Sequence, residues 1–153
     1  SLLSVSPYPR NLSVVFVAFS GEEWGLRGSQ AFVRSLPENI QVPYMINLDA
    51  VGGRESPEIY LIGASQFQGL ARIAESSLRR HGLSPGKDID RYALRAGSDF
   101  WPFLESGIPV LGIYDAEYTL MDQPEDNLSA VNFPKLEKIS SFLVSFIYDL
   151  TSR

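Results

Sequence analysis

Residues 12–19 read LSVVFVAF and lead through Ser20 into GEEWGLRGS at 21–29. An almost wholly apolar run, rich in β-branched and aromatic residues, predicts a central strand covered on both faces. Such a strand demands helices on either side of its sheet, which narrows the fold more than any other stretch of the chain. The run then delivers two adjacent carboxylates, Glu22 and Glu23, to the strand's end. Burying an unpaired carboxylate costs on the order of several kcal/mol. The pair must therefore lie at the surface or face something positive.

The rest of the chain supplies the covering layers. WGLRGSQAFVRS (24–35) reads as a helix despite two glycines, with Leu26, Ala31 and Phe32 toward the core. YMINLD (44–49), EIYLIG (58–63) and IPVLGIY (108–114) read as strands. Residues 66–81 place Phe67, Leu70, Ile73, Ala74 and Leu78 at amphipathic spacing, and Arg79, Arg80, His81 and Gly82 mark the helix end. SDFWPFLESG (98–107) predicts a short helix with Ser98 as N-cap. Residues 133–150 predict a closing helix with Leu136, Ile139, Phe142, Leu143, Phe146 and Ile147 on one side. Residues 83–98 and 115–132 read as loops. Strands alternating with helices predict an α/β sandwich with a mostly parallel sheet. At 153 residues this is one domain, with no internal boundary.

Composition excludes several classes. The formal net charge of −5 argues against nucleic acid as a partner. The absence of cysteine removes disulfides and thiolate metal sites. The longest apolar stretch, Val14–Phe19, is too short to span a bilayer.

Ligands of open α/β sheets gather beyond the carboxyl ends of the strands. Three acidic features fall there: Glu22–Glu23, Asp49, and Asp115 with the following loop that carries Asp122, Glu125 and Asp126. Carboxylates converging on one rim suit a hard or borderline cation. A cation neutralises one carboxylate and leaves its neighbour as a base for an attacking water.

FVAFSGEEWGLRGSQAFV, INLDAVG, GSDFWPFLESGIPVLGI and MDQPEDNLSAVN, in this order, resemble the zinc-dependent aminopeptidases. These are two-zinc exopeptidases similar to bacterial leucyl aminopeptidase, with glutamate carboxypeptidase and glutaminyl cyclase as wider relatives. The resemblance covers about Leu12 to Val144. It implies a three-layer α/β/α sandwich with a mixed, mostly parallel sheet, a peptide substrate and two zinc ions. It makes Glu22 the catalytic base and acid, and Glu23 and Asp49 metal ligands. Asp122 stands where the family has a histidine ligand. Ser98 and Asp99 match a GSD helix start that shapes the site wall, and Phe100 follows where histidine is frequent. Trp24 and Trp101 flank the site in sequence and offer walls for an apolar side chain, core packing being the alternative.

The family's first histidine ligand and bridging aspartate lie upstream of the GEE strand, and nothing in the first residues here matches them. The expectation is an N-terminally incomplete domain, weak or inactive alone, whose uncovered apolar face drives self-association. The resemblance favours an extracytoplasmic or membrane-tethered location. The alternative function is an inactive homologue that serves as a binding or assembly module, and a weaker one is acyl transfer on the glutaminyl cyclase pattern. Simpler roles stand beside each residue: Glu22 and Glu23 at a helix N-terminus, Asp49 capping a turn, Asp122 as a loop acid. His81 reads as structural, and Asp88 and Asp90 as loop acids.

Overall fold

Glycine, proline and the switch from period-two to helical patterning set the element boundaries of the chain. In the computed structural model residues 13–53, 56–86, 97–115 and 123–152 are described. In chain order they form α1 (Arg27–Ser35), β1 (Met45–Asp49), β2 (Glu58–Ile62), α2 (Gln68–Arg80), β3 (Ser84–Pro85), α3 (Trp101–Glu105), β4 (Val110–Asp115) and α4 (Phe133–Thr151). A 3-10 turn, Leu128–Ala130, precedes α4.

The sheet order is β1-β4-β2-β3. β1 runs parallel to β4 and β3 parallel to β2, while β2 runs antiparallel to β4. The sheet is thus mixed and mostly parallel, as expected. Side chains alternate between its faces. Ile59, Leu61, Leu111 and Ile113 point to one face, where α2 and α4 cover them with Leu70, Ile73, Ala74, Leu78, Ile139, Phe142 and Phe146. Met45, Ile62 and Val110 point to the other, against Phe100 and Phe103, with Phe19, Phe32 and Val33 packed alongside. The helices therefore form two layers with the sheet between them.

Three expectations fail. Residues 13–19 form no strand, and Val15 and Phe16 are 70% and 76% exposed. A central strand needs a ladder partner on each side, and among the described residues β1 ends the sheet with its outer edge unpaired. Only Phe19 reaches the core, edge-on to Phe32 at 5.6 Å. Ser98 does not cap α3: the helix begins at Trp101 without a side-chain cap. The loop expected at 83–98 instead contributes β3 at Ser84–Pro85, which finds a parallel partner in β2; residues 87–96 of that loop and 116–122 of the one expected at 115–132, with Asp88, Asp90 and Asp122, lie outside the described residues.

Candidate active site

Glu22 and Glu23 sit in a tight turn, not in the first turn of a helix. Leu26 N–H donates to the Glu22 carbonyl at 2.9 Å, and Arg27 N–H to the Gly21 carbonyl at 3.1 Å. Gly21 and Gly25 take φ of 69° and 87°, where a side chain is strained. At Gly28 the cause is space: a Cβ there would lie 2.6 Å from the Ser20 carbonyl oxygen. The glycines of GEEWGLRG thus fold the chain back on itself and hold the acidic pair at the mouth of α1. An open cleft of about 400 Å³ is lined by Gly21, Glu22, Glu23 and Trp24. Trp24 is 75% exposed beside it, with the Arg27 guanidinium 5.8 Å from its ring centroid.

Asp49 ends β1 on the α1–α3 face. Period-two alternation puts Met45, Asn47 and Asp49 on that face together. The Ser98 hydroxyl donates to Asp49 Oδ2 at 2.6 Å and accepts from Asn47 Nδ2 at 2.8 Å. Ser98 therefore serves β1 and not α3, and it ties the carboxylate to a buried amide. Asp99 follows, and its Oδ1 is buried with no hydrogen-bond partner among the described residues. Phe100 is 1% exposed in the second core cluster. Its side chain clusters with Met45, Ile62, Phe103 and Val110 and is buried, where the wall of the site was expected. Trp101 is half-buried against the same cluster, the packing alternative.

These acids act on one another. Burial first, then the charges of Glu23, Asp49 and Asp99, and a hydrogen bond with Glu23 raise the Glu22 pKa above its ordinary value of 4.5. None of the four has a Lys or Arg ion-pair partner among the described residues. The pair flagged by the sequence thus makes no ion pair among the described residues, although the Arg27 guanidinium stands over the neighbouring Trp24 ring. In charge and in donor type, carboxylate oxygens with one left unsatisfied, these side chains are of the class that suits a cation. Among the described residues no group of three or more acidic or histidine side chains is arranged to hold one.

Asp115 does not join this cluster. One residue beyond the pairing of Asp49 with Tyr114, it points to the opposite face. There it is 2% exposed and ion-paired with the buried Lys135 of α4. Sequence reasoning grouped Asp115 with the rim acids and missed Lys135 and Asn47. Strand parity was the signal that separates Asp115 from Asp49. His81 bonds Ser145 at 2.7 Å between α2 and α4, the structural role expected of it.

The model of peptidase family M28 matches residues 2–147. No curated protein sequence gives a significant match. Among solved structures, an aminopeptidase from Aneurinibacillus sp. strain AM-1 is 26% identical, with a TM-score of 0.68 over 86% of this chain and 32% of its own. LapB from Legionella pneumophila is 23% identical, with a TM-score of 0.76 over 90% of this chain and 39% of its own. BSAP, a zinc aminopeptidase from Bacillus subtilis, is 23% identical, with a TM-score of 0.68 over 87% and 34%. The last two establish likeness of fold alone. The chain spans roughly a third of the length of these relatives. With the family match running from the residues before the GEE turn into α4, the chain belongs to peptidase family M28.

Proposed function

We propose that this chain carries part of the catalytic centre of a zinc-dependent aminopeptidase, which removes N-terminal residues from peptides. The feature that supports this most is the gathering of Glu22, Glu23, Asp49 and Asp99 at the sheet's carboxyl rim, where burial and the neighbouring acids raise the pKa of Glu22. A carboxylate so placed accepts a proton and releases it nearer neutral pH than an ordinary glutamate.

In this reading Glu23 would bind one zinc ion and Asp49 a second, with further ligands, Asp122 among them, from outside the described residues. Bound zinc supplies Lewis-acid polarisation of the scissile carbonyl. Glu22 takes a proton from the water that adds to the carbonyl carbon. It passes that proton to the amide nitrogen as the C–N bond breaks, releasing an amino acid and a shortened peptide. Ser98 orients the Asp49 carboxylate by donating to one of its oxygens, and the Asn47 amide holds the Ser98 hydroxyl in place, as outer partners of metal ligands do. Trp24 offers an aromatic wall to the side chain of the departing residue, and Asp99 adds negative charge attractive to a terminal ammonium.

The second reading, a binding module without activity, draws on the absence of a three-ligand group among the described residues. Hydrolysis of an aminoacyl anilide by the full-length protein separates the two. Zinc-dependent turnover lost in Glu22→Gln is the expected result. Equal rates in the two proteins refute the assignment of Glu22, and no turnover at all favours the module. The exposed ribbon of Val14, Val15, Phe16 and Val17 is further proposed as the surface through which the isolated chain self-associates.

A further inference from the structure

We infer that Asp115, held by Lys135, is a positioning residue: it anchors the turn that follows Asp49 and so sets where the Asp49 carboxylate stands. The inference rests on the metallopeptidase reading, but its evidence lies on the other face of the sheet. Both oxygens of Asp115 are committed. Oδ1 accepts from the Lys135 ammonium. Oδ2 accepts from the backbone N–H of Gly53 at 2.8 Å and of Gly52 at 3.2 Å. From the opposite side the Asn132 N–H donates to the Gly52 carbonyl at 2.8 Å. Residues 52 and 53 are thereby gripped by β4 and by the start of α4 together.

Between this grip and Asp49 lie only Ala50 and Val51. Ala50 takes φ 45°, a left-handed conformation that a residue with a side chain adopts only under strain. Such strain persists where surrounding structure over-determines it. The grip on Gly52 and Gly53 does so, forcing the chain to turn immediately after the carboxylate.

Stability alone does not account for the pair. Lys135 and Asp115 are 5% and 2% exposed, and an apolar pair of similar volume is often as stable as a buried ion pair. What an apolar pair cannot do is accept two N–H groups in a fixed direction. Lys135 orients the carboxylate, and the carboxylate holds the turn.

Two double variants of the full-length protein separate these roles. Asp115→Leu/Lys135→Met removes charge and acceptor together. Asp115→Asn/Lys135→Gln keeps an acceptor for Gly52 and Gly53, and its second amide occupies the place of the ammonium. The measurements are zinc affinity by chelator competition, kcat and KM on an aminoacyl anilide, and amide hydrogen exchange at Gly52 and Gly53. Leu/Met is expected to expose both amides, to weaken zinc binding about tenfold or more, and to lower kcat with KM little changed. Asn/Gln is expected to stay within about threefold of wild type in zinc affinity, since the directional bonds remain. Wild-type zinc affinity in Leu/Met, or equal losses in both variants, overturns the inference and leaves the metallopeptidase reading standing. Where Leu/Met does not fold, Asn/Gln decides alone: retained affinity upholds the inference and a tenfold loss overturns it. A wild-type protein that binds no zinc removes the metallopeptidase reading itself, and the inference with it.

Discussion

Removing the Ser98 hydroxyl tests the wiring of the candidate centre directly. Ser98→Ala deletes two bonds at once, the donation to Asp49 at 2.6 Å and the acceptance from Asn47 at 2.8 Å. The first involves a carboxylate, and such bonds contribute about 1.5–3 kcal/mol. The second leaves the buried Asn47 amide without its partner, at about 1–3 kcal/mol, so the losses overlap and do not simply add. A net loss of about 1–3 kcal/mol lowers the melting temperature by about 2–4 °C for each kcal/mol in a domain of this size. Freed from Ser98, the Asp49 carboxylate rotates, and zinc affinity falls by about 10–100-fold. Thermal unfolding by circular dichroism and chelator competition for zinc measure the two effects on one preparation. Asn47→Ala and the double variant complete a cycle whose coupling is expected at about 0.5–3 kcal/mol. An unchanged melting temperature with unchanged zinc affinity refutes the reasoning, as does strict additivity of the two substitutions.

Other expectations follow from the same geometry. Glu22 has a folded-state pKa above its unfolded value, so its protonation favours the folded state. Its contribution to the stability of the zinc-free protein is present below the ordinary carboxylate range and is lost as pH rises through the raised pKa. Urea unfolding of Glu22→Gln across that window should lack this drop, and parallel pH profiles for the two proteins contradict the assignment. Phe142 is fully buried and stacks on Phe146 with centroids 5.7 Å apart. Phe142→Ala should therefore cost about 3–5 kcal/mol in chemical denaturation, and a cost below about 1 kcal/mol contradicts the packing described for α4. Phe16→Lys, at a position 76% exposed, should change stability by no more than about 0.5 kcal/mol. It should also lower the apparent mass of the isolated chain in concentration-dependent sizing; a mass that does not move counts against the proposed surface.

Much of this fold is written in short-range pattern. The period-two runs MINLD and EIYLI became strands within a residue of expectation, and the helical spacing of Leu70, Ile73, Ala74 and Leu78 marked α2. Where the pattern misled, long-range partners were decisive. The run at 13–19 has the composition of a buried strand, but a strand exists only where a neighbour completes its hydrogen bonds. Ser98 has an N-cap's chemistry, yet Asp49 competes for its hydroxyl more strongly than a neutral N–H does. Asp115 and Asp49 looked equivalent as strand-end acids. Their one-residue offset in register sends them to opposite faces, one to Lys135 and the other to Ser98. Lys135 gave no warning, because a lysine in the first turn of a helix usually faces water, and only the facing carboxylate draws it inward.

The central claim is that the acids crowded at the rim of this sheet hold a cation. A calorimetric zinc titration of the full-length protein beside Glu23→Ala addresses it most directly. The account predicts saturable binding in the wild type that weakens by at least about tenfold when Glu23 is removed. Identical zinc isotherms for the two proteins contradict it.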